Sequence, residues 1–284
     1  MAGRQTSAGV GAGDLFQRRA TGLLRGWSVR DAFIYAAFSI NLITLGLFIF
    51  SYGPFIPEGS LIMAVVLSGL YLIFQAITYA SLIAVMPRAG GDYVWQSRIL
   101  GGGIGFVLAV TGWWFILWHW VPIYANILNV QVLVPLSRIL GLQGSASFFN
   151  GASGLFVSSL AVAIIASVYI SLGMRAYARI QKFCFYVGVV GLAVMLLLLL
   201  IHSRSDFVSA FNSQASEIFG VSGNPYQQTL EVGRVSRPEV AFYPTLLLIP
   251  MVVFFNLWSN WGATLYGEVR GASDFRKNIY AMGG

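Results

Sequence analysis

Six long, mainly apolar runs with almost no charge divide this chain, and they constrain its fold more than any other feature. A helix that crosses the hydrocarbon core of a bilayer needs about 20 consecutive apolar residues, and each run supplies that length. We therefore predict six membrane-spanning helices, numbered span one to span six, at about residues 31–54, 59–87, 104–130, 153–174, 180–202 and 241–269.

The composition agrees with this class. Hydrophobic residues make up 57% of the 284 residues and charged residues 10%, whereas about 25% of the residues in soluble domains are charged. We predict an all-α integral membrane protein with a transmembrane domain over residues 29–284. Residues 1–28 are rich in Arg, Gly and Ser and lack an apolar segment, so we predict a cytosolic tail there and no cleaved signal peptide.

The positions of the basic residues predict the orientation. If the N-terminus is inside, all but four of the 17 Lys and Arg residues lie on the inner side; the outer four are Arg138, Arg204, Arg234 and Arg237. Because short loops rich in Lys and Arg stay in the cytosol, we predict a multi-pass protein of the cell membrane with a cytosolic N-terminus. The net charge of +7 follows from this bias, so we expect contact with membrane lipid and no nucleic-acid partner.

The sequence lacks the motifs of enzymes and metal sites. It contains two His residues and one Cys, Cys184, which allows no internal disulfide. There is no HExxH, Walker A or GxSxG pattern, and GGGIGF lacks the GxGxxG spacing of dinucleotide sites. We therefore predict that the protein is not an enzyme and that it holds no cofactor and no metal.

Polar residues and glycines lie in the middle of two apolar spans. In span one they are Asn41, Thr44 and Gly46, and in span six they are Asn256, Ser259, Asn260 and Gly262. A buried amide costs several kcal/mol unless it finds a partner, so these side chains should face protein or a watery cavity. Packing between membrane helices is the alternative explanation for each span by itself.

The two spans are five apart, so a repeat of five spans would place them at equivalent positions with opposite orientation. In transporters built from such inverted repeats, the helices that bind substrate are broken at the bilayer midplane. We predict that Asn41, Thr44, Leu45 and Gly46 offer backbone N–H groups to a substrate carboxylate at a half-helix N-terminus. We predict that Asn256, Ser259, Asn260 and Gly262 offer carbonyls and amide side chains to a substrate ammonium group.

Span three carries a group of aromatic residues. Trp113 lies near mid-depth, and we predict it as a wall of the substrate site. Trp118, Trp120 and Tyr124 approach the outer interface. They could line the same cavity, but anchoring at the membrane interface explains them equally well.

The stretch MPRAGGDYVWQSRILGGGIGF, between spans two and three, resembles a loop of the amino acid permeases in the amino acid–polyamine–organocation superfamily. Those proteins carry a P-x-A-G-G-x-Y pattern, then an aromatic residue, a basic residue and a Gly-rich start of span three. The matching residues are Pro87, Ala89, Gly90, Gly91, Tyr93, Trp95 and Arg98. Glu268 and Arg270 match an E-x-K/R step after span six, and ARIQKF before span five is also typical of the family.

The resemblance implies a leucine-transporter-like fold of two inverted repeats, in which spans one and six are broken. Residues 25–284 would form the first repeat and the opening helix of the second, so we expect the natural protein to continue beyond residue 284. The resemblance also implies a secondary active transporter that moves amino acids or related organic cations by alternating access. A non-transporting membrane subunit or sensor with the same fold stays open as the alternative.

Energy coupling and assembly stay open at the level of the sequence. The coupling ion is a proton or sodium, and some relatives carry a lysine inside span five where this chain has Gly188. Glu268, at the inner end of span six, is expected to pair with arginines of the inner loops. The substrate is expected to be a small molecule like an amino acid, and the oligomeric state is unknown.

Overall fold

A computed structural model describes residues 25–40, 46, 49–51, 53–56, 58–234 and 240–283. The α-helices of this described part, numbered in chain order, are α1 (Val29–Ile40), α2 (Leu61–Val85), α3 (Gly91–Ile99), α4 (Gly102–Leu128), α5 (Val134–Ile139), α6 (Gln143–Asn150), α7 (Ala152–Ser171), α8 (Met174–Ile201), α9 (Arg204–Phe219), α10 (Pro225–Arg234), α11 (Phe242–Asn256) and α12 (Phe275–Gly283). A π-helical turn, Asn129–Leu133, joins α4 to α5. The 3₁₀ segment, Leu257–Glu268, continues α11.

Five stretches of the described chain are long and apolar enough to cross a membrane: Leu61–Val85, Gly102–Ile139, Ala152–Ser171, Met174–Ile201 and Phe242–Glu268. They lie in the regions of predicted spans two to six. Most of their apolar side chains are exposed, which suits helices in contact with lipid tails. The predicted all-α membrane class is confirmed. Of predicted span one, α1 is described, but residues 41–45, which follow it, lie outside the described part.

The helices alternate in direction, so the bundle has two ends. We call the end that carries Trp27, Gly91 and Val269 the N-terminal face, and the end that carries Glu58 and Ala241 the opposite face. At the N-terminal face, residues of α1, α2, α3, α8, α12 and the 3₁₀ segment form one buried apolar cluster. These elements are therefore packed together mainly at this end.

Trp27 connects three segments at the N-terminal face. Its side chain is 1% exposed, and its indole N–H donates to the carbonyl of Met174 at 3.0 Å. Its backbone N–H donates to the Glu268 carbonyl at 3.0 Å, and its own carbonyl accepts from the Arg270 N–H at 2.9 Å. Residues 25–28, which we call the strap, thereby tie the end of the 3₁₀ segment to the start of α8.

An ion pair lies next to the strap. Lys182 Nζ of α8 is 2.7 Å from Asp31 Oδ1 of α1. The backbone N–H and the hydroxyl of Ser28 both donate to Asp31 Oδ2, at 2.8 and 2.7 Å. Since Asp31 is buried, these partners replace the water that its carboxylate loses, and they fix the start of α1 against α8.

Glycines in the loop between α2 and α3 let two backbones meet. Gly90 and Gly91 have φ values of 98° and 42°, a left-handed conformation that favours glycine. The Gly90 N–H donates to the Thr264 carbonyl at 3.0 Å. A Cβ atom on Gly91 would lie 3.0 Å from Thr264 N, and one on Gly267 would lie 2.6 Å from Ala89 N. The loop therefore packs on the 3₁₀ segment so closely that a side chain at either glycine would block the approach.

A buried polar pair supports the far end of α4. Asn129, in the π-helical turn, accepts a hydrogen bond from the Ser158 hydroxyl of α7 at 2.6 Å. Its amide Nδ2 donates to the Phe149 carbonyl at 3.0 Å. The amide is 1% exposed, and these partners meet its need for hydrogen bonds away from water.

Among the described residues, the buried apolar cluster at the opposite face is the smaller one. It contains Ile49, Ala64, Leu248 and Val252. The Ala241 N–H donates to the Glu58 carbonyl at 2.9 Å, and the Ser60 N–H donates to the Thr245 hydroxyl at 3.0 Å. These bonds join the start of α2 to the start of α11.

Candidate functional site

A cavity of about 390 Å³ lies between α1, α4, α8 and the 3₁₀ segment. Among the described residues that line it, most are aromatic and none is charged: they are Tyr35, Phe38, Ser39, Ile116, Leu117, Trp120, Tyr124, Tyr177, Trp258 and Trp261. Its volume is that of a small-molecule site.

Helical periodicity aligns these side chains. On α1 the lining residues are 35, 38 and 39, and on α4 they are 116, 117, 120 and 124, spacings that place each set on one face of an α-helix. Trp258 and Trp261 are three residues apart, which is one turn of a 3₁₀ helix, so both project from the same side of the 3₁₀ segment. The change from α-helix to 3₁₀ helix after Asn256 thus lets two indoles face one cavity.

The rings of α4 and the 3₁₀ segment contact each other. The centroids of Trp120 and Trp258 are 5.8 Å apart with their planes at 89°, and Trp120 stacks on Tyr124 at 5.2 Å. Both distances lie within the range of about 4.5–7 Å that is favourable for aromatic pairs. The indole N–H of Trp261 donates to the hydroxyl of Tyr35, which joins the 3₁₀ segment to α1.

A polar chain leads from the loop helix α3 to the middle of span six. Asn260 Nδ2 donates to the Tyr79 hydroxyl of α2 at 3.0 Å. The same hydroxyl is hydrogen-bonded to the carboxylate of Asp92 in α3. Burial raises the pKa of the Asp92 carboxyl above its usual value, and the Tyr79 hydrogen bond partly opposes that rise.

Two polar atoms near the cavity are buried without a hydrogen-bond partner in the described part of the chain. They are Asn260 Oδ1, an acceptor, and Trp258 Nε1, a donor. Buried polar groups in proteins are nearly always paired, so an unpaired donor on a cavity-lining residue and an unpaired acceptor two residues along the chain favour a ligand that carries both kinds of group.

The predicted site residues of span six lie beside residues that line the cavity, but none of them is itself in the lining. Asn256, Ser259, Asn260 and Gly262 lie at the end of α11 and in the 3₁₀ segment. A Cβ on Gly262 would lie 3.8 Å from the Tyr35 ring, so this glycine packs against α1. Trp113 does not line the cavity, but its ring centroid is 4.7 Å from that of Trp261.

In span one, the predicted residues Asn41, Thr44 and Leu45 lie outside the described part of the chain. Gly46 is described and is helical, and no atom lies within 4 Å of the position of an added Cβ. A larger side chain at Gly46 would therefore extend into open space.

Sequence reasoning missed several of the lining residues. Tyr35 and Phe38 precede the predicted break, and Tyr177 lies in a loop of the predicted topology. From the sequence, Trp120 and Tyr124 could equally well be anchors at the membrane interface, but in the structure both line the cavity. The signal that could have found them is the i, i+4 spacing of aromatic residues on one face of span three.

Glu268 does not pair with arginines as the sequence predicts. No ion pair of its carboxylate occurs among the described residues, where the bridges are Lys182–Asp31 and Lys277–Asp274. The backbone carbonyl of Glu268 instead accepts from Trp27. Within the same part of the chain, no cluster of His, Cys, Asp and Glu could hold a metal ion.

A family model described as amino acid permease matches residues 32–257, which is well over half of the chain. The match includes α4, α8 and all but the first three residues of α1, three of the elements that line the cavity. A search of curated proteins and a search of solved structures each gave no match.

Proposed function

Since the chain belongs to the amino acid permease family, we propose that it is a secondary active transporter of amino acids or related organic cations in the cell membrane. Transport occurs by alternating access, in which the site opens to each side of the membrane in turn. The family points to transport rather than catalysis, and its substrates are small molecules.

The cavity and its unpaired polar atoms carry this proposal. Trp258 lines the cavity, and its unpaired Nε1 is a donor for a substrate oxygen. We place the substrate ammonium group at the unpaired Oδ1 of Asn260, two residues further along the 3₁₀ segment. Residues 41–46 of span one supply backbone N–H groups to the carboxylate. An amino acid has both groups on one carbon atom, so one ligand can satisfy both sides of the site. The ammonium and carboxylate would otherwise lose their hydration without replacement.

Interactions at the N-terminal face support an alternating-access cycle. On the cytosolic side, where we place this face, the strap and the Asp31–Lys182 pair hold α1 against α8 and the 3₁₀ segment. Opening to the cytosol requires these groups to separate. Among the described residues, the opposite face has the smaller buried cluster, so opening on that side exposes less of their apolar surface.

Uptake by the protein expressed from its complete gene tests the function. Proteoliposomes should accumulate labelled amino acids from a mixture under an imposed sodium or proton gradient. Phe in place of Gly262, whose Cβ would lie 3.8 Å from the ring of the cavity-lining Tyr35, should abolish binding while leaving membrane insertion intact. Phe in place of Gly188, whose Cβ position is open, is the matched control. Binding without uptake would favour the sensor or subunit alternative, and normal binding by the Gly262 variant would move the site elsewhere.

The orientation has its own test. Cys184 is exposed and is first removed. Single cysteines then replace Ala89 near the N-terminal face and Ser216 in α9, both of which are exposed. An impermeant thiol reagent applied to intact cells should label only the cysteine at 216. Labelling at 89 from outside would reverse the orientation.

A further inference from the structure

We propose that the substrate is a neutral amino acid with a large aromatic side chain, which the cavity holds against the rings of α4 and the 3₁₀ segment. This inference rests on the proposed function and narrows its substrate class. It follows from three properties of the cavity: its lack of charge, the arrangement of its rings and its volume.

The lack of charge disfavours substrates with a charged side chain. No Asp, Glu, Lys, Arg or His is among the described residues that line the cavity. The stretch 41–48, which adjoins α1, is also free of such residues in the sequence. Asp31, the one carboxylate on the lining helix α1, is already paired with Lys182.

Desolvation decides between a cationic and a neutral side chain. Moving an ion from water into a protein interior costs several kcal/mol even after relaxation. A cation over an aromatic face gains about 0.5–2 kcal/mol, which does not offset that cost. An anionic side chain would also meet the negative faces of the rings. A neutral side chain has no such cost.

The ring arrangement matches an aromatic side chain. Trp120 and Trp258 stand at 89° to each other, and Trp258 and Trp261 at 66°. Such a corner offers both a ring face and a ring edge, so a third ring can stack on one indole and meet the other edge-on. Aromatic pairs in these geometries gain about 0.5–1.5 kcal/mol beyond the burial of their area.

The volume favours a large side chain. The cavity measures about 390 Å³, and an empty apolar space leaves its walls without van der Waals partners. A substrate with a methyl side chain would leave most of these rings without van der Waals partners, whereas a phenyl or indole group would contact them.

Calorimetric titration of the purified full-length protein in detergent tests the inference, with phenylalanine, tryptophan, alanine, arginine and glutamate as separate ligands. Phenylalanine or tryptophan should bind about tenfold more tightly than alanine. Arginine and glutamate should bind more weakly than alanine. Leu in place of Trp120, a ring of the cavity with no assigned contact to the substrate's charged groups, should reduce phenylalanine affinity about tenfold and change alanine affinity by less than about twofold.

Leu in place of Trp118 is the matched control, because this residue of α4 is 65% exposed and does not line the cavity. It should leave the preference for phenylalanine over alanine unchanged. Equal binding of alanine and phenylalanine, or tighter binding of arginine, would overturn this inference and leave the proposed function standing. Absence of binding by every amino acid would overturn both.

Discussion

The two ends of the helix bundle are held in different ways. At the N-terminal face, the strap, the loop before α3, α12 and the 3₁₀ segment meet through buried apolar side chains and backbone hydrogen bonds. At the opposite face, the described residues of α2 and α11 meet through one small cluster and two hydrogen bonds. The comparison indicates that separating the helices costs more at the N-terminal face, which fits a state that is closed on that side.

The largest expected effect comes from removing the strap's anchor. Trp27→Ala deletes a fully buried indole and its bond to Met174, so we expect a loss of about 3–5 kcal/mol in unfolding free energy. Thermal melting in detergent measures the change. Trp118→Ala, at an exposed tryptophan, is the control and should change stability little. Equal effects of both variants would show that the strap does not hold this face.

A second prediction concerns the backbone contact between the α2–α3 loop and the 3₁₀ segment. Gly267→Ala places a Cβ 2.6 Å from Ala89 N, so the loop has to move, and we expect a loss of about 1–3 kcal/mol. Gly262→Ala lies in the same segment but meets its nearest atom at 3.8 Å. The melting temperature should therefore fall for the first variant and stay near the wild-type value for the second. The reverse order would refute the close backbone approach.

At the opposite face we expect a smaller effect. Thr245→Val removes the hydroxyl that accepts from the Ser60 N–H and donates to the Ala241 carbonyl. Since Ser60 is only part-buried, water can replace part of the loss, and the expected cost is about 1 kcal/mol. The same melting assay applies. A cost as large as that of Trp27→Ala would mean that the two faces are held equally well.

The smallest expected effect is a gain in stability rather than a loss, and its size depends on pH. Burial raises the pKa of Asp92, so its protonated form stabilises the fold, and this contribution is lost as the pH rises through the raised pKa. The groups facing it are Tyr79 and, through Tyr79, Asn260. No Asp, Glu, Lys or Arg occurs in the sequence of α4, and Glu268 is the one such residue of the 3₁₀ segment.

Asp92→Asn should therefore leave stability unchanged at low pH and raise it slightly at neutral pH, because the amide keeps the contact with Tyr79 without a charge. Melting temperatures of the wild-type protein and of Asp92→Asn, taken between about pH 4 and pH 8, measure this difference. Carboxyl and imidazole groups titrate within that range. The assignment would be contradicted if the melting temperature of the wild-type protein rose with pH through this range while that of Asp92→Asn did not.

Several features followed from local sequence. The loop motif with Gly90 and Gly91 predicts the family, which the family model confirms, and both glycines have the positive φ values that suit this residue type. The polar stretch 256–262 predicts a break in span six, and the helix changes type at Leu257. These predictions succeeded because each depends on a short run of neighbouring residues. The substrate role of that stretch remains a prediction.

Other features depended on distant partners. Asn260 meets Tyr79 across 181 residues of sequence. The sequence places Lys182 among the basic residues on the inner side of the membrane, whereas in the structure it forms an ion pair with Asp31. The sequence predicts that Glu268 acts through its carboxylate, whereas it acts through its backbone carbonyl. No local pattern distinguishes these outcomes, because each is decided by which element packs alongside.

The sequence by itself determined that the chain is a bundle of membrane helices, since the bilayer imposes the same requirement for length and polarity on each run of about 20 residues. The tertiary structure decided which face of each helix lines the cavity. From the sequence, Trp120 could be either an anchor at the membrane interface or a wall of a cavity. The packing of the 3₁₀ segment against α4 decides this, because it places the Trp258 ring 5.8 Å from that of Trp120. Lipid and protein interior are equally apolar, so hydropathy cannot separate these two positions, whereas packing between specific helices does.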